Sequence, residues 1–375
     1  MRIAFYAPLK SPDHPIPSGD RRVAQLFMEA LRTAGNEVFL ASRFRSYEGR
    51  GDPERQVRLA SVGAQLADRI LTRCRAEPDT VPELWFTYHL YHKAPDWLGP
   101  RIAAALAIPY IIAEASDAPK QAARAWAAGR HAAERAIRQA DAVIGLNPAD
   151  RDCVLPLLRD PWRWVLLKPF IDASSYSRQA RASGRPPRLI SVAMMRYGDK
   201  LASYQILGKA LAGLLDLPWS LEVVGDGPAR PEVEHALHPV RERVCWAGAI
   251  EAAAVAERLA AADLCVWPAI NEAFGMALLE AQASGLPVIA GGGAGIGEVI
   301  KSGVTGLLVP PGDASAFTAA VRSLIVDRGR RAALAVAARQ RVRAEHDVSV
   351  AARRLDAVIA SLQNPPVRLG ARGQA

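Results

Sequence analysis

The chain has 375 residues, half of them hydrophobic, and 47 Lys and Arg against 38 Asp and Glu give it a formal net charge of +9. That length exceeds what one core accommodates, since single cores stop growing near ~250–300 residues, so two domains of similar size with a cleft are expected. No run of about eighteen apolar residues is present to span a bilayer, the arginines are spread along helical patterns rather than gathered in an aromatic-interleaved tract that would read nucleic acid, and Cys74, Cys153, Cys245 and Cys265 stand too far apart for a disulfide framework or a zinc site.

In chain order, "MRIAFYAPLK" reads as a first strand and not as a signal peptide, which places the protein in the cytoplasm. The runs "RIAFYAPL", "EVFLAS", "ELWFTYHL", "IPYIIAEA", "DAVIGLN" and "WVLLKPF" alternate with longer Ala/Arg/Leu helical patterns, the signature of a parallel sheet covered by helices. A first domain over 1–170 follows. The segment 171–187 is rich in Ser, Arg, Gly and Pro without apolar periodicity and reads as a linker. The alternation resumes over 188–345 with "RLISVAMM", "SLEVVGDG", "VCWAGA", "LCVWPA", "PVIAGG" and "GLLVPP", a second doubly wound unit. A C-terminal helix over 346–362, packing back on the first domain, precedes a polar tail, 363–375, that is expected to be disordered.

Ligands of open parallel sheets bind beyond the carboxyl ends of the strands, and the chemistry-bearing residues cluster there. After "LCVWPA" comes "NEAFGMALLEAQASGLPVIA", with Glu272 in the strand-to-helix loop and Glu280 on an otherwise apolar helix. Backbone N–H groups of Phe274, Gly275 and Met276 would be unpaired donors at that helix start, suited to anionic or hydroxyl-rich groups. Glu280 is costly to bury unless a donor such as a ribose diol meets it. Taken alone, Glu-x7-Glu more often means a capping acid followed by a surface glutamate. Upstream, "MMRYGDK" places Arg196 and Lys200 just after a strand, where two cations could neutralise a diphosphate; a solvated helix start explains them equally well. Gly225 and Gly227 of "VVGDG" would let a nucleotide approach the backbone. In the first half, Gly19 of "SGD" would admit a phosphate to a helix N-terminus, with Ser18 or Asp20 as its cap. His89 and His92 end the third strand, Glu114 and Asp117 the fourth; for each histidine a structural role is the commoner reading.

The stretch from Trp267 to Asp313, "NEAFGMALLEAQASGLPVIA" followed by "GEVIKSGVTGLLVPPGD", resembles the C-terminal signature of the GT-B retaining glycosyltransferases of family 4 (group 1). The resemblance implies two Rossmann-like α/β domains facing across a cleft. It implies Glu272 facing the donor sugar, Glu280 on the ribose, and Arg196 with Lys200 on the diphosphate. This chain departs from the family where Leu201 stands in place of a usual glycine, where Gly19 is single instead of double, and where no His-Asp pair follows the fourth strand. The expected activity is transfer of a sugar from a nucleotide-sugar to a carbohydrate or glycolipid acceptor, with neither cofactor nor metal. A basic and aromatic face including Arg21, Arg22, Trp85, Tyr88, Tyr91, Lys93 and Trp97 would touch an anionic membrane. A sugar-nucleotide epimerase or phosphorylase on the same fold, or a non-catalytic nucleotide-sugar-binding protein, are the rival readings.

Overall fold

In the computed structural model, which describes residues 1–16, 18–177 and 185–363, each of the twelve strand-like runs contains a strand, and the strands form two parallel six-stranded sheets. The first sheet comes from β1 (Arg2–Tyr6), β2 (Glu37–Ser42), β3 (Leu84–Leu90), β4 (Tyr110–Ala115), β5 (Ala142–Gly145) and β6 (Trp164–Leu166), in the order β2-β1-β3-β4-β5-β6. Its helices are α1 (Gly19–Thr33), α2 (Pro53–Ala76), α3 (Gly99–Leu106), α4 (Ala127–Gln139) and the short α5 (Arg151–Val154). The second has the order β12-β11-β10-β7-β8-β9, from β7 (Arg188–Val192), β8 (Ser220–Val224), β9 (Val244–Gly248), β10 (Leu264–Trp267), β11 (Val288–Gly291) and β12 (Gly306–Val309). It is accompanied by α6 (Asp199–Ala212), α7 (Arg230–Leu237), α8 (Ala252–Ala261), α9 (Met276–Ala283), α10 (Ala294–Val299), α11 (Ala314–Val326) and α12 (Arg328–Glu345).

The chain divides into two units. Unit 1 comprises Met1–Leu146, Asp150–Leu167 and the chain from Val348 on, and unit 2 comprises Asn147–Ala149 and Lys168–Asp347. Part of the predicted linker, 178–184, and nearly all of the predicted tail, 364–375, lie outside the described residues. Where unit 2 begins and ends, its two chain passages run side by side. Lys168 Nζ reaches Glu345 Oε2 at 2.6 Å, Ile171 N donates to His346 O at 2.9 Å, and His346 Nδ1 meets Pro169 O at 2.7 Å.

Strands covered on both faces read as continuous apolar runs. β3 shows it, with Leu84, Trp85, Phe86 and Leu90 fully buried. α1 starts where Ser18 Oγ accepts from Arg21 N at 3.2 Å, and it buries Val23, Ala24, Phe27, Ala30 and Leu31 at helical spacing. The last helix, α13 (Val348–Gln363), repeats that spacing with Ala351, Ala352, Leu355 and Ile359 and packs against α1 in unit 1. Two members of the expected basic and aromatic surface belong to this core: Trp85 is fully buried and Tyr88 nearly so. The sequence offered no means of separating their burial from exposure, because a strand buried on both faces has no alternation to read.

In each sheet the strand order reverses once, between β1 and β3 in unit 1 and between β7 and β10 in unit 2. Such a reversal opens a crevice at the carboxyl ends of the strands, the usual ligand position of doubly wound sheets.

Candidate active site

In unit 2 the crevice between β7 and β10 is bridged by side chains from the two loops that leave those strands. Lys200, in the first turn of α6, forms a very short ion pair with Glu272 of the β10–α9 loop. Asn271 Nδ2 donates to Asp199 Oδ1 at 2.9 Å, and Ile270 N donates to Ser203 Oγ at 3.0 Å. Trp267, the last residue of β10, lies beneath: its ring centroid is 5.5 Å from Lys200 Nζ, and its Nε1 donates to Glu272 Oε2 at 3.4 Å. The loop is tight enough to hold Ala269 and Asn271 at φ 55° and 47°, a conformation costing about 1–2 kcal/mol per residue.

The crevice holds charges of both signs. A cation in the first turn of a helix opposes the helix dipole, so Lys200 needs a counter-charge, which Glu272 supplies in this structure. Arg196 is exposed on the loop just before α6. Across the crevice α9 is preceded by Gly275, with φ 65° and no side-chain cap; Leu278 N already donates to Gly275 O at 2.9 Å, so the N–H groups of Met276 and Ala277 are the ones a ligand can reach at this helix start. Phe274 and Met276, half-buried, flank that start, and Glu280 lies about one turn into α9, also half-buried. Gly225 and Gly227 have a packing role of their own. A Cβ on them would lie 2.0 Å from Ala193 O and 2.3 Å from Met195 O, so the missing side chains let the β8–α7 loop close onto the β7–α6 loop.

In unit 1 the crevice between β1 and β3 gathers titratable groups. His89 Nδ1 and Asp20 Oδ1 are 2.9 Å apart, so Asp20, considered above only as a cap, engages a histidine while Ser18 does the capping. Gly19 beside it has open space where a Cβ would stand. Glu114 accepts from Leu146 N at 2.5 Å, and burial pushes its carboxyl from 4.5 up to about 7. Burial also raises Asp150. At Asp20 burial acts upward too, but the hydrogen bond and charge of His89, with Lys10, outweigh it and hold the carboxyl below its ordinary range. The other two candidates have neighbours of their own. Asp117 is taken by Arg130 through contacts of 3.0 and 2.9 Å, and His92 packs edge-on against Trp126 at 5.8 Å.

Residues 186–327, within unit 2, match the family profile of the glycosyl transferases group 1. Unit 2 thus contains a domain similar to the group 1 glycosyl transferases. A D-inositol 3-phosphate glycosyltransferase of Xylanimonas cellulosilytica is 36% identical over 154 residues, 40% of this chain and 37% of the relative. The chain spans roughly half or less of the length of such curated relatives. Among solved structures, a sucrose-phosphate synthase from Thermosynechococcus elongatus superimposes with a TM-score of 0.71 at 21% identity, over 96% of this chain and 99% of that one. HepE from Anabaena, solved in complex with UDP, gives 0.72 at 17% identity over 96% and 100%. These structures share the two-domain α/β fold of the GT-B class with the present chain.

Two buried groups, Glu114 in unit 1 and His346 in unit 2, respond to acid in opposite ways. Glu114 is raised in the folded chain, so its contribution to the stability of unit 1 is lost as pH rises from 4.5 to about 7, on the order of 3 kcal/mol. His346, fully buried at the end of unit 2, is lowered by burial from 6.5 to about 4, so its contribution is lost as pH falls through this window. Urea melts at pH 5 and pH 7.5 check the first effect. Glu114→Gln is expected to gain stability over wild type at the higher pH and to show little difference at the lower.

Proposed function

We propose that the chain transfers a sugar from a nucleotide-sugar, held in the group 1 domain, to a hydroxyl of an acceptor. The observation that carries this reading is the Lys200–Glu272 pair spanning the crevice at the start of two helices. A nucleoside diphosphate brings a concentrated negative charge to a place that already holds Lys200, the nearby Arg196 and the uncapped start of α9. It would take over from Glu272 as partner of Lys200 and free that carboxylate to face the donor sugar. Glu280 then meets the ribose hydroxyls.

In this reading the bond between the anomeric carbon and the diphosphate oxygen breaks, and its electron pair leaves with the diphosphate. The cations and helix N–H groups stabilise that charge as it develops. The acceptor oxygen bonds to the anomeric carbon, and in the front-face form implied by the family resemblance its proton passes to the departing phosphate. Positioning and charge neutralisation supply the rate, with no metal ion required. The UDP bound to HepE supports a nucleotide ligand for this fold.

Calorimetry tests the assignment of Glu280. Glu280→Gln is expected to weaken binding of the cognate nucleoside diphosphate by about 1–3 kcal/mol, the range for a hydrogen bond to a charged group. Unchanged affinity would remove Glu280 from the site.

A further inference from the structure

We infer that the crevice of unit 1, at Asp20, His89, Glu114 and Asp150, binds hydroxyl groups of a neutral sugar or polyol acceptor and rejects phosphate there. This deepens the functional reading above and rests on it, since it names the chemical class of the acceptor and the residues that select it.

Position comes first. Asp20 stands in the first turn of α1, after β1, and His89 lies near the end of β3. They therefore flank the reversal of strand order in unit 1. His89 and Glu114 are neighbours in the parallel register of β3 and β4, between the pairs Tyr88–Ala113 and Leu90–Ala115. Both have left-handed backbones, φ 60° and 59°, which no helix cap or tight turn requires here. Strain of this kind, side by side in two strands, persists where the surroundings hold it and concentrates at functional sites.

The atoms define what the site accepts. With Asp20 held to Nδ1, Nε2 is left to meet a hydroxyl, as acceptor when the ring is neutral and as donor when it is charged. The His89 side chain is 31% exposed, so an incoming O–H group can reach that nitrogen. Glu114 adds a carboxyl anchored to Leu146 N whose protonation is balanced near neutral pH, so it can accept a hydrogen bond from a hydroxyl or donate one to it. The charge around these groups is predominantly negative. Asp20, Asp150 and Glu114 supply it, His89 and Lys10 act on Asp20 as the opposing charges, Arg45 lies farther out beside Tyr91, and the adjacent Tyr88 and Tyr91 are neutral phenols with pKa values raised by burial. A phosphate here meets carboxylates, whereas in unit 2 it meets Lys200 and Arg196. Among the described residues no group of three or more His, Cys, Asp or Glu side chains is placed to hold a metal ion that would reverse this preference.

The test uses the full chain labelled with carbon-13 at histidine Cε1. The chain has seven histidines, and the His89 signal is assigned by its loss in His89→Asn, a residue that tolerates positive φ. D-Glucose, D-galactose and myo-inositol are titrated alongside D-glucose 6-phosphate and myo-inositol 1-phosphate. At least one neutral compound is expected to shift His89 saturably, with its phosphate ester at least about ten-fold weaker, the effect of one like charge at a partly shielded site. Asp20→Asn is expected to weaken the neutral ligand about five-fold without changing nucleoside diphosphate affinity, which shows that the fold is intact. Failure of every neutral compound to move His89, or equal binding of a phosphate ester, overturns the inference. If UDP, GDP or ADP still binds in that case, only the acceptor assignment falls; if none of them binds, the functional reading beneath it falls.

Discussion

Lys200→Ala is expected to lower turnover of the nucleotide-sugar by about 10²–10³-fold, the usual cost of removing one preorganised charge from developing negative charge. Two effects combine. The leaving diphosphate loses a cation, and Glu272 loses its ion-pair partner and keeps the hydrogen bond from Trp267 Nε1, at 3.4 Å. A half-buried carboxylate without a cation repels the very anion the site must hold. Steady-state release of nucleoside diphosphate measures the loss. Binding of the nucleoside alone, without phosphates, is expected to survive, and a parallel loss of nucleoside affinity would show that the substitution had damaged the fold instead.

Gly295→Ala is expected to destabilise the group 1 domain by about 3 kcal/mol, near the upper end for overpacking. A Cβ at that position would lie 1.5 Å from the carbonyl oxygen of Ala273 and 2.7 Å from its carbon. Both are backbone atoms of the loop that carries Glu272 and leads into α9, so relief comes only by moving α10 away from the donor loop. Gly297 in the same helix has nothing within 4 Å of the equivalent position, and Gly297→Ala is expected to be neutral or mildly stabilising through helix propensity. Chemical denaturation of the two variants, followed by nucleotide titration, separates them. Equal stability for both would contradict the close approach of α10 to this loop.

Much of this architecture was legible in the sequence because parallel strands covered by helices announce themselves as apolar runs bounded by turns. The carboxylates Glu272 and Glu280 stand out in the sequence for a related reason: a charged residue in apolar company is costly, and a place just after a strand is where sheets of this type bind ligands. What stayed hidden was pairing. Nothing in the spacing from Lys200 to Glu272 says that the two meet, because the meeting follows from β7 and β10 becoming neighbours, a fact of strand order. The same holds for Asp20 and His89, brought together by adjacency of β1 and β3. Asp20 read as a cap because capping is local and visible, while its partner lies 69 residues away. Gly225 and Gly227 were conspicuous, but an absent side chain does not reveal whether a ligand or a neighbouring carbonyl fills the space.

Titration calorimetry of UDP, GDP and ADP into the full chain in buffer containing EDTA, with the matching nucleosides as controls, addresses the donor site most directly. One nucleoside diphosphate is expected to bind at a single site, and its nucleoside at least about ten-fold more weakly, because Lys200, Arg196 and the start of α9 act on the phosphates. Absence of binding for all three, or binding that appears only after a divalent metal is restored, would contradict a cationic, metal-independent diphosphate site in the crevice between β7 and β10.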